Sequence, residues 1–262
     1  MNFKNLTSLA GLFWLSWGIA AAQDTPPGQV IPEEKVTRIT CSLTVAPRHS
    51  EVPVLGSAKE AKETLGTYHY DIWLPPGYAA APQKRWPTIF VMSPGGNAGM
   101  GGMAPVIREH GMICIMLVEA KNGPWQPIVG NFMAAHDDAV KRFRIADKEK
   151  IATGMSGGAR GSSVFVQVRP GFQGLILQAA GPASEKPGEY ASRGLRKLYV
   201  AMTMGTKDEN ATEVARLEKE LPKSRFEVFR FEGGHGWAPT PVFKKALEWV
   251  RAEGRPATSK LR

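Results

Sequence analysis

Cysteine is nearly absent: the 262 residues contain two, Cys41 and Cys114. Two cannot build the dense disulfide framework of a small secreted domain. No C-x-x-C pair and no His/Cys cluster offers metal-ligand spacing, so no metal site is expected. An oxidising compartment permits a bridge between the two thiols. Cys114, however, lies inside the apolar run "MICIMLV", where a free cysteine packs as a small hydrophobe, and spacing leaves the pairing open. Long apolar runs are equally scarce. Past the N-terminus no segment is long or apolar enough to span a bilayer, and no internal repeat occurs. The net charge of +9 lacks clustering. In "KRFRIADKEK", "RLEKELPKSR" and "FKKALEWVRAEGR" acids stand beside the bases at helical spacing, as on solvated helix faces. Nucleic acid is therefore not an expected partner.

What is present begins with "MNFKNLTSLAGLFWLSWGIAAAQ": an early Lys4, an apolar run from Leu9 to Ile19, and small residues at Ala20 and Ala22. That layout predicts a secretory signal over 1–22, cleaved before Gln23, and a secreted or periplasmic protein without stable membrane insertion. Residues 23–64 read as a proline-rich leader and a first strand, 65–253 as the one main domain, and 254–262 as a loose basic tail. Apolar segments such as "TIFVMS", "MICIMLVEA", "KIATGMS", "GLILQAAG" and "KLYVAMTMG" are continuous rather than alternating, which predicts strands covered on both faces. Helical patterns fall between them at 99–110, 131–144, 157–168, 210–220 and 239–253. Strand–helix alternation after an antiparallel-looking start predicts an α/β fold with a mostly parallel central sheet. The short connection from Gly181 to Leu198 predicts no separate cap domain.

In such a sheet, ligands bind outside the carboxyl ends of the strands. Four segments fall there. "SPGGNAGMGG" follows a strand, and its paired glycines either free backbone N–H groups to face a developing oxyanion or simply form a flexible turn before a helix. "GMSGG" is a G-x-S-x-G pattern between the strand "KIAT" and a small-residue helix. That context predicts a sharp elbow exposing Ser156, with Gly157 N–H aimed at a substrate carbonyl. "TMGTKDEN" places Asp208 after a strand, as a histidine-orienting carboxylate or as a helix N-cap, with Glu209 as its competitor. "FEGGHGWAP" puts His235 in a glycine-rich loop between the last strand and the last helix. His136, by contrast, reads as a helix residue beside acids. Trp125, Met155 and Trp237 flank these segments, either lining an apolar acyl site or packing.

The chain order Ser, Asp, His and the segments "YDIWLPPGYAAAPQKRWPTIFVMSPGGN" and "RIADKEKIATGMSGGARGS" resemble the α/β-hydrolase superfamily over about residues 65–252. The likeness is to secreted feruloyl and acetylxylan esterases, polyhydroxyalkanoate depolymerases and dienelactone-hydrolase-type members. It implies an α/β-hydrolase fold, a Ser156–His235–Asp208 triad, oxyanion donors at Gly157 and Gly96, and no cofactor. The implied substrate is a small-molecule, polysaccharide or polyester ester. The chain departs from many relatives by reading Ser93-Pro94-Gly95-Gly96 where they carry His-Gly, which keeps Gly95 and Asn97 open as alternatives to Gly96. A prolyl-oligopeptidase-like peptidase, or a binding protein on a hydrolase scaffold, would share the same pattern.

Overall fold

The computed structural model describes residues 30–183 and 194–253. The expected signal peptide, the basic tail and residues 184–193 of the connection where a cap would insert lie outside these. The strands are β1 (Val36–Leu43), β2 (Gly66–Trp73), β3 (Trp86–Met92), β4 (Ile113–Leu117), β5 (Ile145–Met155), β6 (Phe172–Gln178), β7 (Tyr199–Gly205) and β8 (Phe226–Phe231). The helices are α1 (Ala58–Lys62), α2 (Ala104–Glu109), α3 (Trp125–Arg142), α4 (Gly157–Val168), α5 (Thr212–Glu220) and α6 (Thr240–Glu253).

All eight strands form one sheet in the order β1-β2-β4-β3-β5-β6-β7-β8. β2 runs antiparallel to β1 and β4, and the other neighbours are parallel. The order reverses at β3: the chain steps one way to β4, then crosses back to β5 and onward. Right-handed crossovers then place helices on opposite faces according to the direction of travel. The packing agrees. Residues of α3, α4 and α5 join one core layer, with Phe90 and Met92 of β3. Residues of α2 and α6 join the other, with Ile89 and Val91 of the same strand. Alternate residues of β3 thus feed two cores, and this is why Ile89 to Met92 are all apolar rather than every second one.

The two cysteines fall on different sides of that division. Cys41 of β1 packs with the first layer and Cys114 of β4 with the second, and both are free. With the sheet between them no bridge can form. Two elements differ from the sequence expectation. α3 starts at Trp125 rather than at 131, because Pro127 lies in the first turn, where the missing N–H has no intrahelical partner to lose. α1 is an added short helix, started by Ser57, whose side chain accepts from Glu60 N–H. Among the described residues no helix is long and apolar enough to cross a membrane.

Candidate active site

The parallel strands end at one edge. There the register sets Met92 of β3 beside Gly154, Met155 beside Gln178, and Gly205 of β7 beside Phe231 of β8. Ser156 follows β5 directly and precedes α4 with φ 54 and ψ −120, a left-handed conformation that a serine adopts only where its surroundings hold it. The crowding explains the glycines two positions away on each side. A Cβ on Gly154 would lie 2.4 Å from the Gly158 carbonyl, and one on Gly158 would lie 2.4 Å from the Met92 oxygen. The Ser156 N–H donates to the Gln178 carbonyl at 2.9 Å, tying the elbow to β6.

Asp208 lies beyond β7 and meets both a backbone N–H and a histidine ring. Its Oδ1 accepts from Asn210 N–H at 2.9 Å as a cap. The same carboxylate faces His235 Nδ1, with Oδ1 at 3.1 Å and Oδ2 at 3.2 Å. The Asp208 side chain is 0% exposed while His235 remains 35% exposed, so a buried carboxylate faces a ring that reaches the surface. Glu209, the competitor, is exposed. The two loops are stitched by Thr206 N–H to Phe231 oxygen and Lys207 N–H to Gly233 oxygen. Among the described residues no hydrogen bond joins Ser156 Oγ to His235; such contacts commonly tighten only with substrate in place.

The glycine loop after β3 differs from the expectation for Gly96. That residue is buried, and its N–H donates to the Ser93 carbonyl at 3.1 Å, while Asn97 N–H donates to Val118. Both are therefore engaged within the protein. Gly95 is exposed, and among the described residues its N–H, like that of Gly157, meets no acceptor. Trp125 and Trp237 are half-buried against opposite core layers, and Met155 is half-buried beside the serine. His136 lies away from this edge as a buried structural residue, between Lys150 Nζ at 2.9 Å and Asp137.

No protein-family model matches the sequence, and no curated protein matches it. Solved structures do. A ferulic acid esterase superposes with a TM-score of 0.56 at 13% identity, over 83% of this chain and 98% of that one. S-formylglutathione hydrolase from Staphylococcus aureus gives 0.55 at 12% identity, over 87% and 100%. A variant of the feruloyl esterase module from Clostridium thermocellum gives 0.57 at 13%, over 72% and 84%. With the strand order above, this settles the architecture. The chain has the α/β-hydrolase fold.

On this α/β-hydrolase sheet one buried side chain, missed in the sequence, joins three separate segments. Gln178 is 0% exposed at the end of β6. Its Nε2 donates to Thr153 Oγ1 at 3.1 Å and approaches Met103 Sδ at 3.5 Å, and its Oε1 accepts from Ala238 N–H at 3.1 Å. The strand under the serine, the segment before α2 and the histidine loop are thereby referenced to one carboxamide. The only hint in the sequence was a glutamine closing the apolar run "GLILQ".

Proposed function

We propose that this protein is a serine carboxylic ester hydrolase acting through an acyl-enzyme. The observation that carries the reading is the buried Asp208 carboxylate on His235 Nδ1, at the same sheet edge as a serine held at positive φ. With Nδ1–H donated to Asp208, His235 Nε2 is the basic nitrogen. Ser156 Oγ adds to the ester carbonyl carbon as its proton passes to Nε2. The tetrahedral oxyanion is received by the N–H groups of Gly157 and Gly95. The C–O bond to the alcohol then breaks, with the alcohol taking the proton from His235. Water repeats the sequence on the acyl-enzyme and releases the acid. The likeness to ferulic acid and feruloyl esterases supports a bulky or polymer-linked ester as substrate. The signal-like N-terminal segment supports export.

The test is turnover of p-nitrophenyl esters of increasing acyl length, with fluorophosphonate labelling alongside. Ser156→Ala should reduce kcat by about 10⁴-fold or more, abolish labelling, and leave thermal unfolding nearly unchanged. Cleavage of peptides in preference to esters would replace the reading with a peptidase. Absence of both turnover and labelling in the parent would replace it with a binding protein.

A further inference from the structure

The loop after β4 meets both oxyanion donors at a single residue. We propose that Asn122 is a positioning residue that fixes the aim of both backbone N–H groups; this rests on the ester-hydrolase reading above. Its backbone N–H donates to the Pro94 carbonyl at 2.8 Å. That carbonyl and the Gly95 N–H belong to one planar trans peptide unit and point in opposite directions, so anchoring the oxygen sets the direction of the hydrogen. The adjoining residues form an isolated antiparallel bridge, Gly95 with Lys121, which keeps the two loops in register.

The side chain of Asn122 works on the other donor. A Cβ built on Gly157 would lie 1.6 Å from Asn122 Oδ1 and 2.7 Å from its Cγ. The carboxamide thus occupies the space where a side chain at position 157 would stand, packed on the Gly157 backbone. A side chain at position 157 could be admitted only if the Asn122 carboxamide swung aside.

The loop that presents Asn122 is itself pinned. Asn131 of α3 is 0% exposed, and its Oδ1 accepts from Glu119 N–H and Ala120 N–H, each at 3.0 Å. Its Nδ2 donates to the His69 carbonyl at 2.8 Å. The Glu119 carboxylate in turn accepts from His69 N–H at 2.9 Å and pairs with its ring Nδ1 at 2.7 Å. Asn122 therefore projects from a fixed platform onto two groups that come from loops far apart in sequence.

The experiment compares the full chain with Asn122→Ala, Gly157→Ala and the double variant, using p-nitrophenyl acetate turnover and inhibition by phenylboronic acid, which mimics the tetrahedral adduct. If that ester is not turned over, the second-order rate of fluorophosphonate labelling replaces it, since phosphonylation calls on the same donors. Asn122 is exposed, so its replacement leaves the core intact. Asn122→Ala should lower kcat about tenfold, weaken boronate binding in parallel, and change KM little, as a loosened rather than deleted donor would. Gly157→Ala should lower both kcat and melting temperature in the parent. Adding it to Asn122→Ala should cost far less, because the carboxamide it would displace is gone. Parent-like kcat and boronate affinity in Asn122→Ala, or additive losses in the double variant, would overturn the proposal and leave the hydrolase reading standing. A fall in melting temperature without any fall in boronate affinity would reduce Asn122 to a structural role and overturn it too. A parent chain that neither turns over nor labels would remove both.

Discussion

Ser156 shows how far a five-residue pattern can be read and where reading stops. The glycines at 154 and 158 imply close backbone approach, and the structure supplies what approaches: the Met92 oxygen and the opposite end of the elbow. Gly154→Ala should therefore act on folding rather than on chemistry. Its Cβ would meet main-chain atoms of Gly158 at 2.4 Å and the Met92 oxygen at 2.8 Å, none of which is the movable end of a side chain. The expected loss is about 3 kcal/mol or more, visible in urea unfolding of whatever folded fraction is recovered. The glycine loop after β3 is the counterexample at this scale. Gly95 and Gly96 are the same residue type, but Gly96 is buried at φ 72 with its N–H on the Ser93 carbonyl, while Gly95 is exposed.

Among the elements, loops carry the proposed chemistry and strands fix its geometry. The histidine loop depends on Gln178, whose Oε1 is the acceptor for the buried Ala238 N–H. Gln178→Leu should leave that N–H unsatisfied, costing about 1–3 kcal/mol in urea unfolding. It should also lower kcat about tenfold through a loosened His235 loop. Equal stability loss with unchanged kcat would make the link structural alone. The helices were legible where their apolar stripe met a strand. α4 and α6 fall at or within a residue of the expected positions, whereas α3 was placed late because its first turn carries Pro127 and polar residues.

Across the whole molecule, the edge of the sheet opposite the elbow holds a polar chain that runs from a buried Lys150 and His136 out to the surface. Lys150 Nζ lies 2.9 Å from His136 Nε2, His136 Nδ1 faces Asp137 at 3.0 Å, and Arg169 pairs with both Asp137 oxygens. Burial, with Lys150 also facing the ring, holds the His136 pKa below its ordinary value of 6.5, and burial lowers that of His110 as well. The folded state therefore keeps both rings neutral where the unfolded chain begins to bind protons. Their contribution to stability is complete above about pH 6.5 and is lost as the pH falls through that value towards the depressed folded pKa values. Melting temperature should decline as the pH falls below about 6.5, and His136→Gln should flatten that decline. A decline of the same size in the variant would assign it to other groups. Surface charge, though it gives the chain its +9, says nothing of the site, since the bases pair with neighbouring acids, as Lys244 does with Glu248 along α6 and with Glu109 of α2.

The sequence by itself determined the layering and the three side chains of the proposed relay. Apolar periodicity depends on which faces are buried, and Ser156, Asp208 and His235 each follow a strand that the same periodicity reveals. Tertiary structure alone decided what depends on distance between segments far apart in the chain. It kept Cys41 from Cys114 by placing the sheet between them, and it gave Asn122 the space above Gly157. It also directed one glycine N–H inward and left its neighbour's exposed. Periodicity carries burial, a property of each residue's own surroundings, but the aim of a hydrogen bond belongs to a pair and exists only once the chain has brought that pair together.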